Sequence, residues 1–103
     1  MIYYTYVYRD PETNVPRYVG KGKERRSKYH MYPSQVSNKA FKGWLTNLKA
    51  KGLEPVIELL ANGIDEELAF LVEVEAISLY GRLDLRTGSL FNHTNGGEGQ
   101  SGR

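Results

Sequence analysis

Five of the eight tyrosines in this 103-residue chain fall within its first eighteen residues, as Tyr3, Tyr4, Tyr6, Tyr8 and Tyr18. A phenol has a reference pKa of about 10, so it becomes a general base only where nearby positive charge lowers that value. Lys21, Lys23 and Arg26 follow closely enough in sequence to supply such charge. Arginine stays charged at all working pH values, and its planar fork matches phosphate oxygens. Arg26 has His30 four residues later, on the same face of any helix formed there, while its neighbour Arg25 points elsewhere. Glu73 and Glu75 are acids about 200° apart around a helix, so only one of them can face a given site. The chain has no cysteine, which removes disulfides, thiolate-bound zinc and a thiol nucleophile. Two histidines alone argue against a zinc site, and no nucleophile elbow supports acyl transfer.

The elements that must position these groups follow from local patterning. Ile2 to Arg9 is aromatic and β-branched and reads as a strand, with Tyr4, Tyr6 and Tyr8 on one face and Tyr3, Thr5 and Val7 on the other. Asp10-Pro11-Glu12-Thr13-Asn14 is turn chemistry, and Val15 to Val19 reads as the returning strand, with Pro16 suited to its beginning or to an edge. Gly20-Lys21-Gly22-Lys23 is expected to break that strand. Glu24 to His30 reads as a short helix interrupted by Pro33-Ser34. A second helix runs from an Asn38 cap to Lys51, stopped by Gly52, with Phe41, Trp44, Leu45 and Leu48 facing the core. Val56 to Leu60 reads as a third strand and Asn62-Gly63 as a turn. Asp65 caps a third helix that carries Glu66 and Glu67 in its first turn and ends near Tyr80 at Gly81. On that helix Leu68, Leu71, Val72, Glu75, Ala76 and Leu79 form a grouping that rivals the one containing Glu73. A Gly-, Thr-, Asn- and Ser-rich tail with a Leu90-Phe91 anchor completes the chain. The expected architecture is α+β: a central three-stranded, mostly antiparallel sheet flanked by helices, in the order β-β-α-α-β-α-tail.

Length allows one domain over residues 1–103, and 40% hydrophobic with 25% charged residues is ordinary for a globular protein. No apolar run approaches a membrane span, and Met1-Ile2-Tyr3-Tyr4 lacks the pattern of a signal peptide, so a cytoplasmic, non-membrane location is expected. The net charge of +2 conceals a division. Residues 1–53 hold 11 Lys plus Arg against 3 Asp plus Glu, and residues 54–103 hold 3 against 9. A basic first half is suited to a polyanion.

Taken in order, these groups resemble the GIY-YIG nuclease family. Tyr4-Thr5-Tyr6 stands at the first motif, departing from it with Tyr4 for Gly and Thr5 for Ile, and Tyr18-Val19-Gly20 matches the second. Arg26 after Gly20-Lys21-Gly22-Lys23, Glu73 on a helix and Asn92 in the tail complete the order, so the resemblance spans the chain. It implies a metal-dependent DNA endonuclease. Tyr6 and Tyr18 become the motif tyrosines, with Tyr8 as a rival to Tyr6. Arg26, with Arg25 in reserve, becomes the phosphate clamp, and Glu73, with Glu75 as fallback, the ligand of Mg2+ or Mn2+. His30 or a lysine joins one tyrosine in handling the attacking water, the proton acceptor being left open. Asn92 becomes a neutral anchor for phosphate or for the region of Glu73. Gly20, Lys21 and Lys23 are expected to approach substrate, although two glycines do not make a P-loop. The implied partner is DNA, and a homo-oligomer or a separate recognition partner is expected to supply specificity. The competing reading is a non-catalytic nucleic-acid-binding module on the same scaffold, served by the same basic and aromatic groups.

Overall fold

A computed structural model describes residues 2–23 and 38–96, and shows the expected α+β architecture. Strands β1 (Tyr3–Arg9), β2 (Pro16–Lys23) and β3 (Val56–Ile64) form one antiparallel sheet in the spatial order β2-β1-β3. Helix α1 (Lys39–Ala50) follows β2, and helix α2 (Glu66–Tyr80) follows β3. The short helix expected over residues 24–30 lies outside the described residues, and with it Arg25, Arg26 and His30. Among the described residues, no helix is long and apolar enough to cross a membrane.

Local chemistry sets the boundaries. The Asp10 carboxylate accepts from the backbone N–H of Glu12 at 2.8 Å and of Thr13 at 3.2 Å, closing the β1–β2 turn, and Asn14 takes the left-handed conformation that asparagine tolerates. Asn38 caps α1 by accepting from Phe41 N–H at 3.0 Å, and Asp65 caps α2 by accepting from Leu68 N–H at 2.8 Å. Gly81 ends α2 at φ 79°.

Two expectations fail in the strands. β2 does not break at Gly20 but continues to Lys23, because both glycines are accommodated by the partner strand. Gly20 lies opposite Tyr6 and Gly22 opposite Tyr4, and a Cβ on either would collide with the tyrosine ring lying across it. β3 likewise runs past Leu60 through Asn62 and Gly63 to Ile64, with register shifts against β1 between Tyr3 and Tyr4 and between Thr5 and Tyr6 absorbing the extra residues.

The alternation read from β1 is realised, and each face receives one helix. Tyr4, Tyr6 and Tyr8 form a ladder with ring centroids 5.9 and 5.7 Å apart. On that face Tyr8, Phe41 and Leu45 form a buried cluster, joined by Tyr18, Trp44 and Phe91. The opposite face packs Val7 and Val19 against Ala76 and Ile77 of α2 and against Leu90 of the tail. Thr5 is fully buried there and donates to the Ala69 carbonyl at 3.2 Å, fastening α2 to the central strand.

Candidate active site

Tyr6 sits on the central strand, and its ring crosses to the edge strand β2, where Gly20 provides the space. The glycine of the second motif is thus explained by the tyrosine of the first. This differs from the expectation that Gly20 clears a path for phosphate. Tyr18 is on β2 itself, opposite Tyr8, with its ring stacked on Phe41 of α1 at 4.2 Å and 10°. Both phenols are only half-buried by exposure.

Glu73 is the third member. It lies four residues from Ala69 and from Ile77, two residues buried in α2, so it belongs to the sheet-facing side of that helix, and it is half-buried. Glu75 is exposed and instead lines an outer groove with Leu68, Leu71 and Leu79. The leucines of the rival grouping are therefore outward while its Ala76 is in the core, and of the two acids Glu73 is the one on the sheet-facing side. Its charge is felt by both phenols. The Tyr6 phenol is pushed well above its ordinary value, first by burial, then by Tyr18, Tyr8 and Tyr4, and then by Glu73. Tyr18 is raised by burial and by Glu73. Glu73 is thus within electrostatic reach of both phenols, from a helix whose core residues pack on the other face of the sheet.

Those shifts run opposite to the lowering that cationic neighbours would give, and of the cations expected to supply it Arg26 lies outside the described residues. Lys21, one source of that charge, is turned to the other face by strand alternation. Its ammonium sits 4.0 Å from the Glu66 carboxylate, and over the rings of Phe70 at 4.4 Å and Tyr3 at 5.3 Å. Lys21 therefore ties β2 to the start of α2 and is not brought to the phenols. Lys23 ends β2, opposite Tyr3.

Asn92 also takes a different part from the one expected. It is buried at 6% exposure, accepts from Val19 N–H at 3.0 Å and donates to Val19 C=O at 2.9 Å. Both halves of the amide serve the outer edge of β2 and imitate a neighbouring strand. The tail extends this cover, with Phe91 N–H donating to the Arg17 carbonyl and the Ser89 hydroxyl to the Pro16 carbonyl. Asn92 is thus an anchor for the strand that carries Tyr18 and Gly20. Sequence reasoning missed both this role and the Asn38 side chain, which donates to the Phe91 carbonyl at 2.7 Å besides capping α1. Neither leaves a local signal, since the partners are 73 and 53 residues away.

Among the described residues, no three His, Cys, Asp or Glu side chains cluster as a metal cage. The donor chemistry present is one half-buried carboxylate beside two phenols held protonated, all oxygen, which fits a hard divalent ion that keeps most of its waters. Comparison of the chain with protein-family models, with curated proteins and with solved structures found no match.

Proposed function

We propose that this chain is a DNA endonuclease that hydrolyses phosphodiester bonds in the manner of the GIY-YIG enzymes it resembles. The observation that supports this most is that the charge of Glu73, at least 55 positions away in sequence, is felt by both the Tyr6 and the Tyr18 phenol.

The raised pKa values favour a donor role for the tyrosines. At neutral pH both are donors, able to hold a water or a phosphate oxygen by an O–H bond, and neither is a base. The proton of the attacking water then falls to another group, for which His30 is the candidate because an imidazole is the side chain suited to proton transfer near neutral pH. Arg26 completes the set as the clamp that neutralises the phosphoryl oxygens. Glu73 would hold the metal, and Mg2+ or Mn2+ would contribute charge neutralisation and a more acidic bound water. DNA meets the basic half of the chain, which includes β1, β2 and α1. The non-catalytic binding module remains the second reading, favoured by Lys21 and Asn92, whose contacts serve the fold.

Cleavage of supercoiled plasmid by the wild-type protein tests the proposal. Cutting of the plasmid with magnesium or manganese, abolished by a chelator, is the expected result. Binding of DNA with no cutting under either metal makes the binding module the better account.

A further inference from the structure

The edge of the sheet opposite the candidate site carries surface that the proposed chemistry does not use. β3 is the edge strand there, and among the described residues nothing pairs with its outer side. Its first half reads Val56-Ile57-Glu58-Leu59-Leu60, the near-continuous apolar pattern of a strand covered on both faces. Yet Val56 and Ile57 are each 44% exposed and Leu59 is 53% exposed. The strand has no lysine or proline within it, its one charge, Glu58, is held by Arg9 at 2.9 Å, and its irregularities fall in the second half, beyond Leu59.

Helix α2 continues the apolar surface. Leu68, Leu71 and Leu79 are 45, 56 and 78% exposed, and they line an open groove of about 480 Å³ that reaches Leu60 of β3. Together the six residues expose roughly 500 Å² of apolar surface, divided between the two faces of the sheet on either side of the free edge. With the flanking backbone they approach the roughly 800 Å² per partner that a stable dimer buries.

We infer that β3 and the leucine side of α2 form a two-fold interface with a second copy of this chain. A self-complementary occupant suits the surface because a free antiparallel edge pairs with its own copy about a two-fold axis. Ile57 and Leu59, which share the phenol face, meet their counterparts across the new strand pair. On the other face, each α2 presents its leucines to the groove of its partner, and the exposed Glu75 stays at the groove's rim. The result is one six-stranded sheet with the β2 edges at its two ends. At about 4.8 Å per strand those edges are roughly 24 Å apart. A two-fold axis perpendicular to the sheet keeps both candidate sites on one face with opposite polarity, as cleavage of both strands of a duplex requires. That last step rests on the nuclease reading, whereas the interface does not.

Sedimentation equilibrium and plasmid cleavage on wild type, Leu59→Lys and Leu71→Lys test it, with far-UV circular dichroism and urea unfolding as controls. Both leucines are exposed, so the fold tolerates the change. Wild type should have twice the monomer mass and linearise plasmid, while each variant becomes monomeric, keeps its spectrum, and accumulates nicked circles with at least a tenfold loss of linear product. A monomeric wild type, or a dimer that survives both substitutions, overturns the interface. A dimer that behaves as described but never cuts DNA leaves the interface standing and removes the nuclease reading. A monomer that cuts does the reverse.

Discussion

The Tyr6 ring can lie across β2 only because Gly20 has no side chain, and the pair therefore behaves as one unit. Gly20→Ala must push the ring aside, which by analogy with overpacked cores costs about 1–3 kcal/mol. Urea unfolding should show that loss, and cleavage should fall with it because the phenol is displaced. A second consequence lies in the alkaline range. Tyr6 and Tyr18 have folded-state pKa values above the unfolded value of about 10. Below that pH both states hold the phenolic protons and nothing is lost. Above it the unfolded chain releases protons that the folded chain keeps, so stability falls as pH rises. Urea midpoints should therefore decline above about pH 10 in the wild type. They should decline less steeply in Tyr6→Phe and Tyr18→Phe, and identical slopes in all three proteins would contradict the assigned environment. None of the glycine's purpose can be read locally. Gly20-Lys21-Gly22 has the composition of a strand breaker, and only its register against Tyr4 and Tyr6 makes it a strand.

At the scale of elements, β2 is held from both sides, by β1 in the sheet and by the tail along part of its outer edge. Asn92 is the point of greatest constraint, because it offers a donor and an acceptor at once to Val19. Asn92→Asp keeps the size but loses the donor and places a carboxylate against the Val19 carbonyl. Leaving buried groups mismatched in this way costs about 2–3 kcal/mol. The measured effect should be a loss of stability together with weaker cleavage, while a variant with unchanged unfolding would remove the anchoring role. The caps of the helices were legible in the sequence, since Asn38, Asp65 and Gly81 act within a few residues of themselves. The buried side of α2 was not. Apolar residues occupy more than one side of that helix, and the richer leucine grouping proves to be the outward one. What decides the side is the small pair Ala69 and Ala76, which lets the helix come close to β1 and β2.

At the scale of the whole molecule, the sheet separates two kinds of surface. One end, at β2, carries polar and titratable groups, while the other end, at β3, is apolar and acidic. The division of charge along the chain follows this layout, because the basic half builds β1, β2 and α1, and the acidic half builds β3 and α2. Fold class and element order could be read from periodicity and turn residues alone. Tyr6, Tyr18 and Glu73 could be proposed from motif order but not placed together, since their proximity depends on how α2 settles on the sheet. The proposed site therefore depends on which acid of α2 acts with the phenols. Plasmid cleavage and DNA binding by Glu73→Ala and Glu75→Ala, measured beside the wild type with magnesium, test this most directly. Glu73→Ala should bind DNA at least as well as the wild type and lose cleavage by about 100-fold or more, in line with removal of a metal ligand or its support. Glu75→Ala should cut as the wild type does. Full cleavage by Glu73→Ala, or its loss in Glu75→Ala alone, would contradict the site as built here.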